Sequence, residues 1–203
     1  MMIEVTIQGI APYVMHRYNE TAAIKGASPD RPVHPGEKLG PREEAESFAY
    51  RLPSGELYMP GPAVYKAIID AGRFHKHGRT KLTTNSTSLV PGALWMEEGS
   101  SVAIPLLWDD KPIRTFEVDA RRIVNPSTGG AHICHRPIIH KWQARFGLTA
   151  DDAFFDEKFV RALVDTAGGR VGIGAMRPQK KGSFGRFVVK CWQVEVKPKA
   201  VAA

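Results

Sequence analysis

The sequence predicts an α+β protein whose strongest elements follow the order strand, helix, strand, strand, helix, strand. Segments near both ends alternate apolar and polar residues as strands do, two segments carry apolar residues at helical spacing, and strand candidates lie between them. An apolar fraction of 43% over 203 residues supplies enough hydrophobic surface for a core. We therefore expect one domain over residues 1–196, followed by a flexible tail at 197–203.

The N-terminal half is predicted to supply one strand and one helix of the core, separated by a long insertion. Residues 2–8 alternate strictly and predict the first strand. A loop insertion at about 10–58 follows, because its beginning is rich in proline and glycine and lacks a clear period. Within it we expect a short helix at 42–51 and a small hairpin at 51–59. The apolar spacing of 63–71 then predicts the first core helix.

The C-terminal half is predicted to supply the remaining strands and the second helix. Threonines, serines and cations at 73–100 predict a second loop insertion, either a flexible loop or an arm. A turn-rich segment at 125–130 makes 113–146 a long predicted hairpin. The helical spacing of 156–167 predicts the second core helix. Strands are predicted at 101–107, 113–124, 132–146 and 187–196.

This order of elements is the ferredoxin-like arrangement, also called RRM-like. In it, two helices cover one face of a four-stranded antiparallel sheet. The same topology serves RNA-recognition modules, in which aromatic residues of the sheet stack on bases. Because the topology also carries many unrelated functions, the function has to be inferred from a site.

The most informative segment is the glycine-rich stretch at 168–187, which lies between the second helix and the last strand. Its charged residues are all basic. Glycines let backbone approach a ligand closely and expose amide groups, and the cations suit a polyanion. A dinucleotide fingerprint is excluded, since Arg177 stands where the third glycine belongs and the helix lies upstream. A P-loop is also excluded, because Lys181-Gly182-Ser183 has the wrong order. The alternative is a long turn whose glycines adopt positive φ angles.

The charge distribution also favours an anionic partner. The chain carries 28 basic and 21 acidic residues, a formal net charge of +7, and its pI is near 9.5. Asp and Glu are absent from three windows, at 71–96, 120–150 and 166–194. We expect these basic windows to converge on one face as a footprint for a phosphate backbone. The alternative is three solvated faces that point in different directions.

The glycine-rich stretch resembles the corresponding loop of the RAMP superfamily, CRISPR-associated RNA-binding proteins with ferredoxin-like folds. The chain is also similar to uncharacterised phage and prophage proteins with the endings G-x-G-x-x-R-P and G-x-F-G-R-F, and with the opening seen here at 9–17. In this sequence the endings are Gly172-x-Gly174-x-x-Arg177-Pro178 and Gly182-x-Phe184-Gly185-Arg186-Phe187. The resemblance implies binding of single-stranded nucleic acid and, for the backbone-subunit branch, side-by-side assembly of copies along the strand. It leaves RNA and DNA as alternatives, and residues 10–58 have no counterpart in it.

The histidines suggest two other sites. A zinc site would use residues of the 132–140 segment, yet only two ligands share a strand face there, and a structural zinc needs four. A metal-independent ribonuclease of the RAMP type is the second alternative, because histidine suits acid–base catalysis. Its candidate residues, none in a recognisable catalytic arrangement, are His16, His75, His77, His132, His135 and His140. The third functional class is a phage structural or assembly protein.

We therefore expect a non-catalytic protein that binds single-stranded nucleic acid without sequence preference and forms homo-oligomers along it. The phosphate-binding candidates are Arg170, Gly172, Gly174, Arg177, Lys180, Lys181, Arg186, Arg121, Arg122, Arg136, His16 and Arg17. Phe184, Phe187 or Trp142 could stack on bases, although we expect each of them in the core rather than on a stacking surface. No cofactor and no metal are predicted. Two widely spaced cysteines, the absence of a signal sequence and the lack of an apolar run of about 20 residues predict a cytoplasmic protein, in the bacterial host if phage-encoded.

Overall fold

The computed structural model describes residues 1–17, 40–124 and 129–195, apart from the side chain of His132. The predictions for the tail at 197–203 and for much of the first insertion, at 18–39, lie outside the described residues. The described α-helices are α1 (Pro41–Ser47), α2 (Gly61–Ala71), α3 (Val90–Ala93), α4 (Glu98–Ser101) and α5 (Glu157–Thr166). The described strands are β1 (Met2–Gly9), β2 (Tyr13–Val14), β3 (Tyr58–Pro60), β4 (Lys76–His77), β5 (Thr80–Lys81), β6 (Leu94–Met96), β7 (Ala103–Trp108), β8 (Lys111–Pro112), β9 (Glu117–Val124), β10 (Ala131–Ile139), β11 (Gln143–Ala150) and β12 (Phe187–Glu195).

The predicted ferredoxin-like core is confirmed. The main sheet has the order β12-β1-β11-β7-β3, and all its pairings are antiparallel. If β1, β7, β11 and β12 are counted as the four core strands, their spatial order is fourth, first, third, second. The helices α2 and α5 are the two connections of the β-α-β-β-α-β unit. The other strands and helices are additions to this unit.

The hydrophobic core lies between the main sheet and its helices. Ile3, Val5 and Ile7 point into it from β1 and are at most 1% exposed. A β-bulge opposite Thr6 and Ile7 shifts the register of β12, so that this strand turns apolar residues inward on both sides of the bulge. The helix α5 starts at Asp156, whose carboxylate accepts a 2.7 Å hydrogen bond from the amide of Phe159.

The prediction of a single strand over 132–146 is wrong. β10 ends at Ile139 in a three-stranded sheet of order β2-β10-β9, and β11 begins at Gln143 in the main sheet. Between them Trp142 is fully buried and donates its indole N–H to the carbonyl of Ala11 over 2.9 Å. This side chain anchors the crossing from one sheet to the other. The alternating sequence could not reveal the crossing, because both halves alternate as strands do.

The second predicted insertion, at 73–100, is folded rather than extended as an arm. It contains the β4–β5 hairpin and two short helices, and its Leu82 and Val90 side chains are buried in the core.

In the first insertion, the described helix α1 lies against β10 and β9 and buries Ala45. Of the small hairpin predicted at 51–59, the pairing of Arg51 with Leu57 is present. Among the described residues, no helix is long and apolar enough to cross a membrane.

Candidate nucleic-acid interface

The glycine-rich loop, defined here as residues 168–186, is a closed structure held by its own backbone. The amide of Ile173 donates to the carbonyl of Gly185 over 2.9 Å. The loop also joins the segment after β1, since the amide of Ala175 donates to Val14 and that of Gly185 donates to Pro12, at 2.9 and 2.8 Å. The N-terminal segment and the loop therefore form one surface, although about 160 residues of sequence separate them.

Several loop glycines are required by this geometry. Gly172, Gly174 and Gly185 have positive φ angles of 73°, 82° and 64°. A Cβ atom on Gly174 would lie 2.6 Å from both the Tyr13 ring and the Val14 carbonyl. The amide of Gly172 already donates to Ala167 over 2.8 Å and is not available to a phosphate, whereas within the described residues the Gly174 amide has no partner.

The two ends of the loop contact the other two basic windows. At the first end, the guanidinium of Arg170 lies 5.2 Å from the centre of the Phe74 ring. At the second end, the guanidinium of Arg121, on β9, lies 4.7 Å from the centre of the Phe184 ring. Both distances are typical of cation–π contacts. Residues of all three acid-free windows therefore meet at this loop.

The convergence is not complete. Arg145, from the second window, lies on the outer face of the main sheet, 3.4 Å from Glu4 and 3.5 Å from Asp110. The chain reaches that face because it changes sheets after β10. On β9, Arg121 also forms an ion pair with Asp119 over 2.7 Å, and this carboxylate partly neutralises its charge. Residues of the three windows thus meet at the loop, whereas Arg145 lies on another face, and the phosphate-binding footprint stays a prediction.

The outer face of the main sheet does not resemble an aromatic base-stacking platform. Its central positions on β1, β11 and β12 hold the polar side chains of Glu4, Thr6, Gln8, Gln143, Arg145 and Gln193. Trp142 and Phe187 are 0% and 2% exposed, which agrees with the expectation that these rings lie in the core. Phe184 is partly exposed beneath Arg121. Base stacking at the loop surface would therefore use Phe184.

A cavity of about 300 Å³ opens where the loop meets the N-terminal segment and β10. We call it the arginine pocket. Arg136 and Arg177 contribute to its wall, and within the described part of the chain no acidic residue does. Its lining residues are Tyr13, His16, Tyr50, Pro60, Ala63, Arg136, Gly174, Ala175 and Arg177.

A buried carboxylate fixes Arg177 in this wall. Arg177 donates through Nη1 to the carbonyl of Gly174 over 3.0 Å and through Nε to Oε1 of Gln179 over 3.1 Å. Gln179 in turn donates to Asp70 on α2 over 2.8 Å, and Lys66 donates to the same carboxylate over 2.8 Å. No local pattern in the sequence indicates this network, because Asp70 is distant from the loop in sequence.

The protonation state of Asp70 follows from these contacts. Burial raises the pKa of Asp70. This rise is outweighed by the hydrogen bonds from Lys66 and Gln179 and by the charges of Lys66 and Arg73, so the pKa lies below its ordinary value. Asp70 is therefore a carboxylate at neutral pH. It stabilises the docked loop as an acceptor for Gln179.

His16 and Arg136 also line the pocket. The His16 ring stacks on Phe48 with centroids 4.8 Å apart. Partial burial and, second, the charge of Arg136 lower the pKa of His16, so its imidazole is neutral at pH 7. Arg136 has a buried Nε atom without a hydrogen-bond partner among the described residues. Burial raises the pKa of the Tyr13 hydroxyl, which therefore stays protonated.

The remaining predicted cations are exposed on the loop or near it. Arg17 follows His16 in the chain. Burial and the charge of Tyr58 raise the pKa of Tyr50, and the charge of Arg17 opposes part of that rise. Arg122 is exposed on β9 beside Arg121. The exposed cations of the loop are Arg170, Lys180, Lys181 and Arg186.

The structure gives two of the histidines carboxylate neighbours that the sequence did not reveal. Nδ1 of His135 lies 2.6 Å from Oε2 of Glu44 on α1, and Nε2 of His140 lies 3.5 Å from Glu117. Glu44 is 91 residues away in sequence, so no local motif could indicate this pair. No group of three or more metal-ligating residues occurs in the described part of the chain.

The overall fold is similar to that of a known structure. No protein-family model and no curated protein matches the chain. A chain in the cryo-EM structure of the type III-B Cmr-β complex bound to cognate target RNA has a TM-score of 0.51 and 12% identity. The match covers 95% of the present chain and 59% of that chain. This likeness supports a RAMP-like fold.

Proposed function

We propose that the protein binds single-stranded nucleic acid through the glycine-rich loop and the β9–β10 hairpin. The observation that carries this proposal is the contact of Arg121 with Phe184, which brings two acid-free segments together at a partly exposed ring. Cations next to a ring are the combination that holds phosphates and stacks bases without reading sequence. Phosphate neutralisation of this kind makes affinity strongly dependent on salt.

The fold likeness gives independent support. The similar chain belongs to a complex that was solved with target RNA bound. The polar outer face of the main sheet is a poor site for base stacking, so the loop surface is the better interface on the present chain. The proposal includes Arg170, Arg177, Lys180, Lys181, Arg186, Arg122 and Arg136 as further cationic contacts.

Fluorescence anisotropy of labelled single-stranded RNA, single-stranded DNA and duplex DNA at several salt concentrations tests the proposal. The variant Arg121→Gln/Arg186→Gln removes two exposed cations from the interface. For a single strand, each lost phosphate contact reduces the slope of log affinity against log salt by about 0.7, so the expected change is about 1.4. The matched control is Lys111→Gln/Lys158→Gln, which removes the same charge from exposed positions on β8 and α5.

The three proteins separate the outcomes. Salt-sensitive binding of one single strand, weakened in the interface variant and kept in the control, supports both function and site. Equal slopes in the two variants would overturn the site. A folded wild type that binds none of the three nucleic acids would overturn the function and favour the structural or assembly alternative.

We also propose that several copies bind side by side on one strand. The RAMP resemblance alone supports this assembly. An unpacked segment at 73–90 would also have favoured contacts between copies, but Leu82 and Val90 of that segment are buried within one chain. Analytical ultracentrifugation with strands of two lengths measures it. The number of bound copies should increase with strand length, and one copy at every length would contradict the assembly.

A metal-independent ribonuclease remains the second candidate, because Glu44 orients the His135 ring at 2.6 Å. A carboxylate in this position holds an imidazole in one tautomer for acid–base catalysis. Degradation of labelled RNA in the presence of EDTA, lost in both His135→Ala and Glu44→Gln, would establish this activity. Intact RNA after prolonged incubation with the wild type would exclude it.

A further inference from the structure

We propose that the arginine pocket binds one nucleotide of the strand, with its phosphate at Arg136 and Arg177 and its base against Tyr50. This inference rests on the proposed function and deepens it. The exposed cations would hold the strand along its backbone, while the pocket would take a single base out of the stack. One nucleotide in each subunit would then have a fixed position.

The charges around the pocket favour a phosphate. Arg136 forms no ion pair with an acid of the described residues, and its Nε atom is buried without a partner. A buried donor without a partner costs free energy, which an incoming anion would recover. Arg177 uses Nη1 and Nε inside the loop, and in the described part of the chain its Nη2 atom has no partner. Both arginines thus keep donors for one anion, and the guanidinium of Arg177 is already held in place by the loop.

The size and the remaining walls favour a base beside that phosphate. A volume of about 300 Å³ is at the small end of ligand pockets, which span roughly 300–1,000 Å³. The wall combines the tyrosine ring of Tyr50 with apolar surface from Pro60, Ala63 and Ala175. Aromatic and apolar walls with a few polar groups are what a planar base requires.

The first experiment uses the pocket alone. ¹H–¹⁵N NMR titrations of the full chain are made with 5′-AMP, adenosine and inorganic phosphate. We expect AMP to shift the amide resonances of Gly174 and Ala175 at lower concentration than either fragment, because only AMP fills both halves of the pocket. Shifts that are equal for AMP and phosphate, or absent at these two amides, would overturn the inference.

The second experiment tests the pocket within the bound strand. Ala63→Leu fills the pocket from α2 without removing charge, and Arg136→Gln removes the guanidinium whose Nε atom has no partner among the described residues. Each of these two variants should lower strand affinity by about tenfold or more, which is the loss of affinity expected when one stacked base is removed. For Ala63→Leu the salt slope should not change. Pro62→Ala, one residue away on the exposed side of α2, is the control and should bind as the wild type does.

The outcomes distinguish this inference from the function on which it rests. If the wild type binds a strand and folded Ala63→Leu binds it equally well, the pocket assignment is overturned and the proposed function stands. If the wild type binds no strand, the proposed function fails, and the inference fails with it. Arg136→Lys, which keeps the charge and loses the planar fork, should show intermediate affinity if the phosphate lies at Arg136.

Discussion

The glycine-rich loop yields a prediction about stability that separates structural glycines from ligand-binding ones. Gly185 has a φ of 64°, and a Cβ atom there would overlap the carbonyl oxygen of Ile173. Both obstacles are backbone features that a side-chain rotation cannot relieve. We therefore expect Gly185→Ala to open the loop or to strain it.

The size of the effect depends on which of these happens. If the loop stays closed, a non-glycine residue in the left-handed region costs about 1–2 kcal/mol. If the loop opens, it loses instead the bonds from Ile173 to Gly185 and from Gly185 to Pro12, each contributing about 1 kcal/mol. In either case the free energy of unfolding should fall by about 1–2 kcal/mol, and Tm should fall by about 2–8 °C for a chain of this length.

Thermal unfolding monitored by circular dichroism and urea titration measure this loss. Gly169→Ala is the matched control, because no atom lies within 4 Å of a Cβ there and Gly169 is not among the positive-φ residues. It should leave stability within about 0.5 kcal/mol of the wild type. A Gly185→Ala variant as stable as Gly169→Ala would refute the reasoning and leave the glycines to be explained by a ligand.

Three further predictions concern the pocket and its support. Asp70→Asn should destabilise the protein by about 1.5–3 kcal/mol at pH 7 through its weakened bond to Gln179. Because the folded-state pKa of Asp70 is lowered, this difference should be present above about pH 4 and shrink as the pH falls further, which urea titrations across pH measure. Arg177→Lys should weaken strand binding in anisotropy by several-fold despite the unchanged charge. Lowering the pH through the lowered pKa of His16 should strengthen strand binding, since a protonated ring adds a cation beside Arg136, and His16→Gln should abolish that change.

Much of the fold could be predicted from local patterns. The strand at 2–8, the helix at 63–71 and the last strand at 187–196 agree with β1, α2 and β12 within about two residues. Each of these elements buries one face, so its period shows in the sequence. The crossing near Trp142 could not be predicted, because a strand pattern does not indicate which sheet a strand joins.

The candidate site was predictable in its composition and not in its assembly. Its exposed cations and the glycines at 172, 174 and 185 are visible in the sequence as a local cluster. The network from Asp70 through Gln179 to Arg177 is not, because hydrogen bonds between distant segments leave no periodic signal. The same holds for the pairing of Glu44 with His135.

By itself, the sequence determined the order of elements, the basic charge and the position of a glycine-rich loop before the last strand. Those properties arise from neighbouring residues, whose spacing and charge are fixed by the covalent chain. Only the tertiary structure decided that Arg136 and Arg177 line one cavity, that Arg121 meets Phe184, and that Trp142 belongs to the core. These contacts depend on how the two sheets pack against the loop, and packing is a property of the whole chain.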